Sequence, residues 1–190
     1  MRSIAAALGL LLLLAACSSV PSSVVSTGER YVPHDAGIED YRLGAGDKLK
    51  VTVYNEPTLS GEYAVSTEGK ISVNLIGDIQ VLGDSVTMVA SKVQAALADG
   101  YVRDPKVSVE ISAYRPFFVL GEVSTPGQFP YASGMTALNA IALAQGFSPR
   151  AERGVVYIRR AGSSEEVPYN LSPNLRVWPG DTIRIGEKYF

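Results

Sequence analysis

Few side chains in this 190-residue chain are equipped for chemistry. It has one cysteine, Cys17, and one histidine, His34. A lone cysteine excludes an internal disulfide and a Cys-rich metal site, and a single histidine leaves the usual zinc ligand set unfilled. No metal and no cofactor are therefore expected. Glu39-Asp40 and Glu165-Glu166 are adjacent carboxylate pairs. Neighbours on an extended chain point to opposite sides, so neither pair reads as an acid/base couple. Gly44-Ala45-Gly46 lacks the third glycine and following helix of a dinucleotide loop. Gly69-Lys70 is followed by Ile71 rather than the Ser or Thr of a phosphate loop. Asn170-Leu171-Ser172 is a formal glycosylation sequon of little weight. No catalytic residue is assigned.

The chemistry of Cys17 comes from its surroundings. Met1-Arg2-Ser3 is a short basic start, and Ile4 to Ala16 is an uncharged apolar run of thirteen residues. A membrane-spanning helix needs about 20 such residues, whereas this length suits the hydrophobic region of a secretion signal. The run closes on Leu14-Ala15-Ala16-Cys17, which resembles the bacterial lipobox. The expectation is a signal peptide over 1–16, cleavage before Cys17, and lipidation of Cys17 on sulfur and then on its freed amine. One acyl chain holds a protein only marginally, at about 0.8 kcal/mol per buried methylene, so two or three chains are needed. Ser18 after the cysteine favours the outer membrane by analogy with enterobacterial sorting. Residues 17–37, rich in Ser, Val, Gly and Pro, read as a flexible tether with His34 solvated in it. Order is expected from near Ile38, in the periplasm.

The elements follow from hydrophobic period and turn residues. Leu49, Val51 and Val53 alternate with Lys48, Lys50 and Thr52, the mark of a half-buried strand. Tyr63 and Val65 belong to a second strand, and Lys70 to Val73 to a third. Gly77-Asp78 is expected as a tight turn before Ile79-Gln80-Val81. From Thr87 to Leu97 the stripe Val86, Val89, Ala90, Val93 and Leu97 predicts a helix capped by Thr87. Val107, Val109 and Ile111 face inward on the next strand. Phe117 to Val123 is a denser strand, followed by a turn at Thr125-Pro126-Gly127. A second helix is expected from Thr136 to Gln145, stopped by Gly146. Strands over Val155–Arg159 and Arg176–Ile185 complete the chain.

An internal echo joins the two ends of this pattern. Arg42-Leu43-Gly44-Ala45-Gly46-Asp47-Lys48-Leu49 and Arg176-Val177-Trp178-Pro179-Gly180-Asp181-Thr182-Ile183 both give an apolar residue, a turn, Gly-Asp, and an alternating strand. Glycine allows the turn and aspartate bonds backbone amides at the strand entry. The two segments are expected to be equivalent turns, not two active sites.

Taken in order, these blocks resemble the polysaccharide biosynthesis/export family of outer-membrane lipoproteins. Tyr41–Asp47, Asn55–Gly61, Glu68–Gly77 and Arg103–Val109 are similar to successive blocks of its export domain. Val119–Val123, Pro126-Gly127, Ala144-Gln145-Gly146 and Pro179-Gly180-Asp181 resemble a soluble-ligand-binding β-grasp domain, with Gln145 where Gly is more usual. The resemblance implies an α+β fold of two small β-rich domains, each with one main helix: an export domain over 38–115 and a β-grasp domain over 116–190. It also implies a homo-oligomeric ring, often an octamer, that conducts capsule polysaccharide or exopolysaccharide. The implied partners are an inner-membrane polysaccharide co-polymerase and the polysaccharide in transit. Full-length members add an amphipathic C-terminal helix that crosses the outer membrane. This sequence closes on Glu187-Lys188-Tyr189-Phe190 after its last strand, so the expectation is a short member working with a separate outer-membrane pore protein.

Composition bounds the alternatives. The formal net charge is -2 with no basic block, so nucleic acid is not an expected partner. Ten tyrosines and Trp178 are present; they serve strands and interfaces as readily as sugar rings. Glu122 and Arg115 are left unassigned. The competing function is a lipoprotein that binds a small soluble ligand through its β-grasp domain.

Overall fold

The computed structural model describes residues 41–188. The signal segment, Cys17, the tether with His34, Glu39-Asp40 and the onset of order near Ile38 lie outside the described residues. Within them the chain is α+β, with two hydrophobic cores, each served by one helix.

The first core is built on β1 (Lys48–Val53), β2 (Gly61–Ala64), β3 (Lys70–Val73), β4 (Gly77–Gln80), α1 (Val86–Ala98) and β5 (Val107–Ala113). An antiparallel sheet runs β2-β1-β5, and β3 and β4 form a separate hairpin. Strict alternation along β1 sends Leu49, Val51 and Val53 inward and Lys48, Lys50 and Thr52 to solvent. The helix presents Val89, Val93 and Leu97 to the same core. Burying each of these side chains contributes roughly 1.5–3 kcal/mol.

Two local expectations are corrected here. The N-cap of α1 is Ser85, not Thr87. Ser85 has extended backbone and accepts a hydrogen bond from the Met88 amide at 3.3 Å, so Val86 and Thr87 already lie in the first turn. The β3–β4 turn lies at 74–76 rather than at Gly77-Asp78, with Leu75 at φ 70°. A leucine in left-handed backbone is not a turn signal, so the sequence points instead to the glycine beside it.

The second core is built on β6 (Phe117–Gly121), β7 (Gly127–Phe129), α2 (Ala137–Leu143), β8 (Ala151–Arg159), β9 (Glu166–Asn170) and β10 (Thr182–Glu187). Their sheet order is β7-β6-β10-β8-β9, with β6 and β10 parallel at the centre. Five strands curl around one helix, which is the β-grasp arrangement. Thr136 caps α2 as expected, in a capping box with Asn139. Strand β9 is absent from the sequence reading because Pro168 argues against a strand. It is an edge strand, where a missing N–H is tolerated. Strand β7, which the sequence analysis lacks, starts at the last residue of the Thr125-Pro126-Gly127 turn, and β10 begins only at Thr182, because the Trp178–Asp181 turn occupies the residues before it.

Candidate functional site at the domain junction

The two Gly-Asp turns found in the sequence meet between the cores. In the first, Gly46 has φ 92° and the Gly44 amide donates to Asp47 Oδ2 at 2.8 Å. In the second, Gly180 has φ 83° and the Trp178 amide donates to Asp181 Oδ2 at 2.9 Å. Each aspartate thus closes its own turn and starts a strand, β1 or β10. Both side chains are essentially without solvent contact, at 0% and 1%. A carboxylate so placed needs a cation and further donors to offset desolvation.

Each has its own arginine. Asp181 pairs with Arg160 and also accepts from the Ala161 amide at 3.3 Å. Burial pushes the Asp181 carboxyl up from the ordinary carboxylate value, and Arg160 and the backbone amides work against that rise. Asp47 pairs with Arg115, whose Nη1 donates to Oδ2 at 3.1 Å and whose backbone amide donates to Oδ1 at 2.7 Å. The Tyr41 hydroxyl donates to the same carboxylate at 2.7 and 2.9 Å.

Arg115 lies between β5 and β6, in the segment that joins the two cores. While its Nη1 holds Asp47 of the first turn, its Nε donates to Pro179 O of the second at 3.1 Å. The Gly180 amide donates back to Pro116 O at 3.0 Å. Both turns are shaped around this guanidinium. A Cβ on Gly44 would stand 1.9 Å from Arg115 Nη1, and one on Gly180 would stand 2.8 Å from its Nε.

A run of tyrosines covers the clasp. Tyr41 and Tyr114 meet edge to face with ring centroids 5.1 Å apart, and Tyr114 and Tyr131 do so at 5.3 Å. The run passes from the first core, through the linking segment, to the second. Such pairs add about 0.5–1.5 kcal/mol each beyond area burial. Burial raises the hydroxyl of Tyr41, with the Asp47 hydrogen bond adding to it. Burial also raises that of Tyr114, and it pushes Tyr131 up to about 12.

This arrangement ties the two units together through groups that are already paired with one another. The Asp47 lone pairs are committed to donors, and Arg115 is committed to both sides. Elsewhere, Glu122 accepts from Ser148 Oγ and faces Arg150 inside the second unit, so it does not bridge the cores. Of the Glu165-Glu166 pair, Glu166 is held by Arg184 at 2.7 Å while Glu165 is exposed. No group of three or more metal-ligating side chains converges among the described residues. No helix among them is long and apolar enough to cross a membrane. The sequence reading found both turns but did not assign Arg115. Its one legible mark is a position immediately before Pro116, which favours extended backbone there and so an outstretched connector.

Two small α+β units joined at this clasp define a two-domain class, and comparison with known proteins says which. Residues 36–112 match the Polysaccharide biosynthesis/export protein family, and residues 116–168 match the SLBB domain. The chain thus carries an export domain of that family followed by an SLBB domain. It is 36% identical over 136 residues to the exopolysaccharide production protein ExoF of Rhizobium meliloti, covering 65% of this chain and 32% of that one. It is 31% identical over 144 residues to the EPS I polysaccharide export outer membrane protein EpsA of Ralstonia solanacearum, covering 58% and 38%. It is 24% identical over 159 residues to the polysialic acid transport protein KpsD of Escherichia coli, covering 78% and 28%. The matched stretch spans only about a third of these relatives' length. The family is named for polysaccharide biosynthesis and export, and these relatives for exopolysaccharide production, polysaccharide export and polysialic acid transport, none of them for an enzymatic reaction, in agreement with the non-enzymatic reading of the sequence.

Proposed function

We propose that this protein is a lipoprotein component of capsule or exopolysaccharide export. In this reading 1–16 is a signal peptide, acyl chains on Cys17 anchor the protein to the outer membrane, and 17–37 is the tether. The export domain (38–115) and the β-grasp domain (116–190) then sit in the periplasm. Copies assemble into a ring that conducts polysaccharide, fed by an inner-membrane co-polymerase and emptied through a separate outer-membrane pore protein. The observation that carries the reading is the ordered pair of family domains joined through Arg115. A conduit under load from a moving polymer needs its two layers held in register, and Arg115, bonded to Asp47 on one side and to Pro179 O on the other, supplies such a tie. Deleting the gene is expected to abolish surface polysaccharide while lipid-linked precursors are still made; unchanged surface polysaccharide rejects the function. For the anchor and ring, protein extracted from cells in detergent is expected to begin at an acylated Cys17 and to weigh a multiple of the protomer. A monomer still starting at Met1 rejects both.

A further inference from the structure

On the solvent side of the β1–β5 pair, away from α1, lies a groove of about 380 Å³ lined by Thr52, Tyr54, Lys106, Val107 and Ser108. That size falls within the span of small-molecule clefts, roughly 300–1,000 Å³. Its shape follows from the strands. Thr52 and Ser108 are cross-strand partners, and the Tyr54 amide donates to Lys106 O at 2.9 Å just beyond the last paired residues. The ring of Tyr54 is left 70% exposed. The alternation of β1 carries it to the solvent face, where it forms one wall of an open groove. The lining surface is mostly apolar, with Thr52, Ser108 and Lys106 contributing two hydroxyls and an ammonium group.

We propose that this groove is a carbohydrate contact for one uncharged pyranose ring at a time of the polymer in transit, an inference that rests on the export function proposed above. A pyranose has an apolar C–H face and a rim of hydroxyls. Its face fits the ring of Tyr54, and its rim fits Thr52, Ser108 and Lys106. Charge decides which sugars fit. Lys106 has Asp104 at 3.8 Å, and Lys50 stands in register between Glu62 and Glu110. Positive charge on this face is matched by negative charge, so a polyanion gains nothing from it, whereas hydroxyls gain donors and acceptors. The groove is open and its polar groups are also solvated, so each contact is weak and a moving chain releases it.

The test is made in cells, where the polymer is the natural one. A photo-crosslinking phenylalanine analogue is placed at position 54 of the full chain and, as a control, at Tyr101, which is also exposed but outside the groove. Illumination during secretion is expected to give glycan-bearing adducts of the protein from position 54 and not from 101. Adding Thr52→Val and Ser108→Ala is expected to lower the adduct yield roughly three- to tenfold, the scale of one or two lost contacts. These substitutions are on an exposed face, and protein level reports that they fold. Normal secretion with no adduct at 54, or with equal adducts at both positions, overturns the groove and leaves the export function standing. Normal surface polysaccharide in the deletion strain overturns the export function, and the groove with it.

Discussion

Arg115 Nη1 lies 3.1 Å from Asp47 Oδ2, although the two residues are 68 positions apart in the chain. The pair ties the first core to the segment that joins the two, Arg115 Nε reaching Pro179 O of the second, and the carboxylate is fully buried. Removing one partner of such a pair leaves an uncompensated charge in a poorly solvated site, at a cost of about 3–5 kcal/mol. Asp47→Ala is therefore expected to lower the stability of the protein by about that amount in urea denaturation. Asp181→Ala is expected to act similarly through Arg160. A loss below about 1 kcal/mol at Asp47 would show that the clasp does not hold the joint.

The glycines beside Arg115 give a second, independent test. Gly44→Ala places a methyl group where Arg115 Nη1 lies. Overpacking of this kind costs roughly 1–3 kcal/mol. The expectation is a loss of that size in the wild-type background and a much smaller one when Arg115→Ala has already emptied the space. A double-mutant cycle measures the coupling. Additive losses would mean that Gly44 serves its turn alone.

The tyrosine run predicts an alkaline limit. Tyr131 is held near 12 in the folded protein against an ordinary 10.0, chiefly by burial and next by Tyr114; Tyr41 and Tyr114 are shifted in the same direction. Above pH 10 the unfolded chain gives up phenolic protons that the folded chain keeps. The folded state then binds more protons, so stability falls as pH rises. The tyrosine contribution is complete below pH 10 and is lost as pH climbs towards 12. Stability measured against pH, with tyrosinate absorbance followed in parallel, is expected to show this decline, and Tyr131→Phe should make it shallower. An unchanged slope in that variant would contradict the assignment.

Gln145 follows α2 at φ 63°, in the left-handed region. Its sequence position is one where the family resemblance places glycine, and the backbone gives the reason: a side chain there is strained. Gln145→Gly is expected to raise stability by roughly 0.5–1 kcal/mol, because relief of strain outweighs the added freedom of the unfolded chain. Thermal unfolding checks it, and a lower midpoint would contradict it.

Much of this architecture was legible in the residues because the period of the apolar positions is local. β1, β3, α1 and the Thr136-capped α2 follow directly from side chains that alternate or recur every three to four positions. The remainder depends on contacts made far away. β9 was hidden by Pro168, acceptable only because that strand is at the edge of its sheet. The β3–β4 turn was misplaced because Leu75, an exposed residue, takes a left-handed backbone that its residue type does not favour. The two Gly-Asp turns were legible as a pair. That they meet at one arginine was not, since nothing local marks a guanidinium reaching Asp47 on one side and Pro179 on the other.

The most direct test of the central claim follows newly made polysaccharide across the envelope of cells lacking this protein. Labelled polymer is chased, and the cell surface and the space beneath the outer membrane are sampled separately. The account predicts that polymer stops beneath the outer membrane and that a plasmid copy of the gene restores its appearance outside. Polymer reaching the surface at the wild-type rate without this protein would contradict the account.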